Sequence, residues 1–251
     1  MEGKRSRING VRKASGSKSS RVIRRSSKIR GSLSWGKDLY SSPGKKEVSK
    51  FFIFINGILT NPEDVSSWTD LGEDYIEHRT PHKATRLEYR AGAATRRIKQ
   101  EARVDNLETI AKRHVDENLV LVAHSNGGDI CERFVKRGNF DIEELHLIAS
   151  ASEADFEKNG FNKALLDGVV GKIYVYWSPE DRWLKRAKFS KSILSWIGLG
   201  YGYLGLVGPQ NVDPRVKDRV IEIKRNYDHS DWFFPGIFEQ TMRMVSGESL
   251  V

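Results

Sequence analysis

The chain of 251 residues contains one cysteine, Cys131, so no intrachain disulfide can form, and this usage fits a reducing compartment. It also lacks a long apolar run. The longest stretch without a charge, Ser192 to Val212, holds five glycines and a proline, which argues against a membrane-spanning helix. No apolar segment of the kind that marks a secretory leader stands near Met1, and these features together lead us to expect a cytoplasmic protein. Acid is scarce early on. Residues 1 to 50 hold 15 Lys/Arg against 3 Asp/Glu, whereas the remainder holds 27 against 30, so the formal net charge of +9 belongs to the first stretch alone. Periodic aliphatic residues are scarce there as well. Residues 1–47 therefore read as a disordered Ser/Gly/Arg/Lys-rich tail, followed by one folded domain over residues 48–251. Such a tail can be a solubilising extension, an arm that neutralises the phosphates of a nucleic acid or an anionic membrane surface, or an organelle transit segment. Arg24-Arg25 and the spaced Lys/Arg supply charge, and Trp35 and Tyr40 supply the stacking groups; composition leaves all three open.

What is present is an alternation of short apolar runs with helix-compatible segments, the pattern of a parallel sheet covered on both faces. Phe51-Phe52-Ile53-Phe54-Ile55, Lys83 to Tyr89, Leu119 to Val122, Leu145 to Ala149, Lys172 to Trp177 and Val220 to Ile223 read as strands. Asn61-Pro62-Glu63-Asp64 reads as a helix start, with a helix to about Tyr75. Thr95 to Val115 reads as a longer helix with Ile98, Val104, Leu107, Ile110 and Ala111 on one face, and Ser230 to Val245 as a last helix broken near Pro235.

The densest chemical signal is Ala123-His124-Ser125-Asn126-Gly127-Gly128. It places a serine between a buried strand and a helix in which Ile130/Phe134 and Cys131/Val135 recur at helical spacing. So abrupt a turn needs small neighbours, which Ala123 and Gly127 supply, and it aims backbone N–H groups at developing negative charge. This is the pattern of a nucleophile elbow. An acid and a base follow in the chain order Ser, Asp, His: Asp181 in Ser178-Pro179-Glu180-Asp181 after one strand, and His229 in Tyr227-Asp228-His229 after another. His124 is adjacent to the serine, but neighbouring side chains on a sharp turn point apart, so a structural or pocket role is expected of it rather than base catalysis. His78 and His82 straddle Thr80-Pro81, which disfavours a shared helix and a metal pair. Cys131 lies on the apolar face of its helix and reads as a packed thiol. The glycine-rich stretch Trp196 to Pro209 fits either a lip over an acyl pocket or a buried connecting loop.

On these residues the chain resembles the α/β-hydrolase superfamily over about residues 50 to 245, and the Ala-His-Ser-x-Gly-Gly form is similar to the elbow of small, nearly cap-less lipases and esterases. The resemblance implies an α/β fold with a mostly parallel central sheet, helices on both faces and a minimal cap or none. It implies Ser125 as nucleophile, His229 as base, Asp181 rather than Glu180 as the acid, and the backbone N–H groups of Ile58 and Asn126 as an oxyanion hole. The early strand of that family usually ends in His-Gly; here it ends in Asn56-Gly57. The implied activity is hydrolysis of a small-molecule or lipid carboxylic ester, with no metal and no organic cofactor. The rival reading is a non-catalytic binding protein on the same scaffold whose basic arm holds nucleic acid, membrane or a protein.

Overall fold

The computed structural model describes residues 49–57, 67–89, 99–194 and 202–248, all within one compact unit, Lys46–Val251. In chain order the elements are β1 (Lys50–Ile55), α1 (Trp68–Arg79), β2 (Lys83–Leu87), α2 (Gln100–Lys112), β3 (Asn118–His124), α3 (Gly127–Arg137), β4 (Ile142–Ile148) and α4 (Phe161–Leu166). They continue with β5 (Val170–Trp177), α5 (Arg182–Leu194), α6 (Leu204–Val207), β6 (Val220–Lys224) and α7 (Pro235–Ser246), with 3-10 turns at Pro214–Arg219 and Asp231–Phe233.

The six strands are parallel throughout, in the order β2-β1-β3-β4-β5-β6. The unbroken apolar strands β1 and β3 suit this arrangement because both faces of the sheet are buried there, and the period of two sorts their side chains. Phe51, Ile53, Ile55, Leu119, Leu121, Leu145 and Leu147 join Val104 and Leu107 of α2 and Ile130 and Phe134 of α3 in one core. Phe52, Phe54, Val120, Val122 and Ile148 join Tyr75 and Ile76 of α1 and Met242 and Val245 of α7 in the other. Each large apolar side chain so buried contributes about 1.5–3 kcal/mol, which makes the alternation a strong determinant of register.

The chain runs outward from β1 to β2, returns across β1 to β3, and then adds β4, β5 and β6 on the far side. That reversal leaves a crevice beyond the carboxyl ends of β1 and β3. Ile55 is level with Ala123, and His124 with Ile148, so the turns after β1, β3 and β4 open at one edge.

Several element limits differ from the sequence reading. Helix α1 begins at Trp68, where Ser67 caps it by accepting the Asp70 N–H, and it runs past Tyr75 to Arg79. It stops because Thr80, which precedes Pro81, is extended. The expected cap at Asn61-Pro62 lies outside the described residues. Within them the long second helix spans Gln100–Lys112, and the expected strand from Lys83 ends at Leu87. Helices α4, α5 and α6 carry little periodic signal and were not expected. Residues 202–208 form a buried connection, since Leu204, Gly205 and Leu206 are buried and a Cβ on Gly205 would sit 2.3 Å from the Ala149 carbonyl carbon. Trp196 to Tyr201 lie outside the described residues. Among the described residues no helix is long and apolar enough to cross a membrane.

Candidate active site

Ser125 sits between β3 and α3 with φ +53°, a left-handed conformation that a side chain adopts at a cost of about 1–2 kcal/mol. The surroundings enforce it. The Ser125 N–H donates to Ile148 O at 3.1 Å, and its carbonyl accepts from Gly128 N at 3.1 Å and Ala151 N at 2.9 Å. Small residues are required on both sides. A Cβ on Gly127 would lie 2.5 Å from Ile55 O, and one on Gly128 would lie 1.9 Å from Ser150 Oγ. The elbow read from the sequence is thus a strained turn held by the ends of β1 and β4.

Asp181 is fully buried and ties two elements together. Its Oδ1 accepts the Leu184 N–H at 2.7 Å, which caps the first turn of α5, and its Oδ2 accepts the His229 Nδ1–H at 2.7 Å. That second bond leaves Nε2 of the imidazole as the free position. The loop bearing His229 is itself braced. Asp228 Oδ1 accepts the His229 N–H at 2.8 Å and the Arg182 N–H at 3.0 Å, and the Trp183 ring stacks on the imidazole with centroids 5.0 Å apart. Glu180, by contrast, is exposed and pairs with Lys185 at 3.3 Å.

His124 precedes Ser125 in the chain and meets His229 in space. Its ring centroid is 4.7 Å from that of His229, and its Nε2–H donates to the His229 carbonyl at 3.2 Å. Burial, and then the proximity of His229, push His124 well below the usual histidine range, so it stays neutral. The structure therefore brings Asp181, His229 and the elbow to one edge. Among the described residues the Ser125 hydroxyl itself makes no hydrogen bond, and contacts in unliganded sites often tighten only when substrate is bound.

Of the two backbone groups expected to stabilise an oxyanion, Ile58 lies outside the described residues. Asn126 immediately precedes α3 and is fully buried, and by hydrogen-bond geometry neither polar atom of its side chain is paired among the described residues. The preceding Asn56-Gly57 turn packs directly on Ser125, since a Cβ on Gly57 would be 3.0 Å from Ser125 Cβ. Asn56 Oδ1 accepts both the Gly57 N–H at 2.9 Å and the Trp68 indole N–H at 2.7 Å, and Tyr89 donates its hydroxyl to the Asn56 carbonyl.

The remaining candidates are accounted for. Cys131 is buried, and burial pushes its thiol up, away from a reactive thiolate. His78 Nδ1 lies 2.9 Å from Asp74 O on the exposed side of α1, whereas His82 is buried with its Nδ1 accepting from Lys50 N at 3.4 Å. Among the described residues no three His, Cys, Asp or Glu side chains converge in a way that could hold a metal ion. Sequence reasoning missed Trp68, whose role has no signature beyond its bulk.

No family model matches the sequence, and no curated protein does. Solved structures do match. A candidate hydrolase of Agrobacterium vitis S4 superposes with a TM-score of 0.51 at 14% identity, covering 79% of this chain and 87% of that one. A candidate hydrolase of the α/β superfamily from Xanthomonas campestris gives 0.49 at 12%, covering 79% and 96%. FphF, a fluorophosphonate-binding serine hydrolase of Staphylococcus aureus, gives 0.49 at 10%, covering 85% and 88%. With its parallel six-stranded sheet and a sharp turn from β3 into α3, the chain has the α/β-hydrolase fold.

Proposed function

We propose that the protein is a serine hydrolase of carboxylic esters, of the lipase or esterase kind. The observation that carries the reading is the buried Asp181 carboxylate bonded at 2.7 Å to His229 Nδ1, with Ser125 held at φ +53° on the neighbouring turn. The hydrogen bond fixes the tautomer in which Nε2 is bare and can take a proton. In the reaction, Ser125 Oγ attacks the ester carbonyl carbon as its proton passes to His229 Nε2. The carbonyl π bond breaks, and the oxyanion is met by backbone N–H groups at Asn126 and Ile58. Collapse expels the alcohol, which takes the proton from His229, and water then repeats the sequence to release the acid. Asp181 stays ionised and stabilises the imidazolium while it lasts. Each oxyanion donor is worth about 3 kcal/mol in comparable sites. No step calls for a metal or an organic cofactor.

Small or lipid esters fit this chemistry, and residues 1–47, which lie outside the described residues, are the part suited to an anionic partner. The second reading is a non-catalytic binding protein on the same fold, since a fold does not by itself dictate function. Labelling with a fluorophosphonate separates the two. We expect stoichiometric labelling of Ser125, lost in Ser125→Ala together with turnover of nitrophenyl esters. A folded wild-type protein that neither labels nor hydrolyses would establish the second reading.

A further inference from the structure

The Asn56-Gly57 turn and the His229 loop approach Ser125 from different sides, and one side chain touches both. Trp68, the first residue of α1, donates its indole N–H to Asn56 Oδ1 at 2.7 Å. The same Asn56 oxygen accepts the Gly57 N–H, so that N–H is turned toward Asn56 and not toward the nucleophile. On its face, the Trp68 ring stacks on Phe233 with centroids 4.7 Å apart and planes 17° apart, four residues beyond His229. Its ring also meets His124 edge-on at 6.1 Å, and Phe233 meets His124 edge-on at 4.7 Å. His124 in turn bonds the His229 carbonyl. The rings of Trp68, Phe233 and His124 thus touch one another, with Asn56 bonded to Trp68 at one end and His229 to His124 at the other.

We infer that Trp68 is a positioning residue that locks the oxyanion turn to the base loop, acting through Asn56 on one side and Phe233 on the other. The inference rests on the serine-hydrolase reading above. Its chemical basis is the satisfaction of a buried acceptor. Asn56 is buried, and its Oδ1 must receive donors or bear a large desolvation penalty. With the indole N–H in place, the Asn56 side chain holds one orientation, and so does the Gly57 N–H that donates to it beside Ser125. Without it, Asn56 can rotate to other donors and the turn loses its only side-chain anchor to α1 among the described contacts. The ring–ring contacts are indifferent to the N–H, so the two functions can be separated by substitution.

Trp68→Phe keeps an aromatic face for Phe233 and removes the donor. Asn56→Ala removes the acceptor and leaves Trp68 whole. Asn56→Asp keeps two acceptor oxygens. With a short nitrophenyl ester, Trp68→Phe and Asn56→Ala should each lower kcat roughly 10- to 100-fold, with KM moving less than about threefold, since the loss falls on the transition state. A boronic acid, which forms a tetrahedral adduct with the serine, should lose affinity by a comparable factor. The double variant should be no worse than about threefold below the poorer single one, because both changes break one interaction. Asn56→Asp should recover most of the boronate affinity lost in Asn56→Ala. If Trp68→Phe does not fold, the Asn56 variants carry the test unaided. Unchanged kcat and boronate affinity in a variant whose Ser125 still labels with fluorophosphonate would overturn the inference and leave the hydrolase reading standing. Failure of wild-type Ser125 to label would remove that reading instead, and the inference with it.

Discussion

Replacing Asp181 by Asn is the sharpest single perturbation of the site. The carboxylate is fully buried, and its two oxygens have separate duties, one to the Leu184 N–H and the other to the His229 Nδ1–H, both at 2.7 Å. An asparagine of the same shape can keep its oxygen on Leu184 and thus retain the cap of α5. Its amide nitrogen then faces His229, where a donor meets a donor. The imidazole escapes by moving its proton to Nε2, the nitrogen that must accept from Ser125. The fold survives and the base is lost. In triads where the same exchange has been made, kcat falls about 10⁴-fold, equivalent to about 5.4 kcal/mol of transition-state stabilisation. We expect a loss of that order, with KM nearly constant and an unfolding midpoint close to wild type. The assay is steady-state turnover of a short nitrophenyl ester alongside thermal unfolding, with Glu180→Gln as the control, since Glu180 is exposed and its carboxylate pairs with Lys185 on the surface. A kcat within tenfold of wild type for Asp181→Asn, or a larger loss in Glu180→Gln, would refute the assignment.

Gly127→Ala should destabilise by about 1–3 kcal/mol, because its Cβ would lie 2.5 Å from Ile55 O and 2.9 Å from Asn56 O, and thermal unfolding should show a midpoint lower by several degrees; an unchanged midpoint would mean that the elbow packs less tightly than described. His124 and His146 are both buried and held below the usual histidine range by burial, with Glu144 partly opposing this at His146. Both are neutral when folded and protonate more readily when unfolded, so their stabilisation is complete above the ordinary histidine pKa of about 6.5. It declines as pH falls below that value, by up to about 1.4 kcal/mol per pH unit for each. Urea titrations between pH 7.5 and 5 should show this, and His124→Asn should reduce the slope. Deleting residues 1–47 should leave ester turnover nearly unchanged while abolishing salt-sensitive binding to heparin or anionic vesicles; a soluble, folded truncation without esterase activity would show that the tail helps to build the site.

Local sequence determined those parts of the protein whose physics is local. Short apolar runs rich in β-branched and aromatic residues suit interior parallel strands, and a serine between small residues at a strand end suits a tight turn. Strands β1, β3 and β4, helix α3 and the elbow are accordingly legible from Phe51-Phe52-Ile53-Phe54-Ile55, Leu119 to Val122, Leu145 to Ala149 and Ala123 to Val135. Even the break at Pro235 follows from the missing N–H of proline, which suits the first turn of a helix and not its interior. Helices α4, α5 and α6 were not legible, because their stability comes from elsewhere. Helix α5 is capped by Asp181, a residue whose other oxygen serves a histidine 48 positions away. Helix α6 exists because Gly202 and Gly205 let the backbone close on residues 149–152. The order β2-β1-β3-β4-β5-β6, which opens the crevice, is likewise a property of how the strands pair. Nor could the sequence assign Trp68, since nothing near it in the chain shows that its indole reaches Asn56 while its face carries Phe233. Spacing along a chain encodes which side chains share a face; which of them meet across 48 or 165 residues is decided only when the sheet has brought strand ends together.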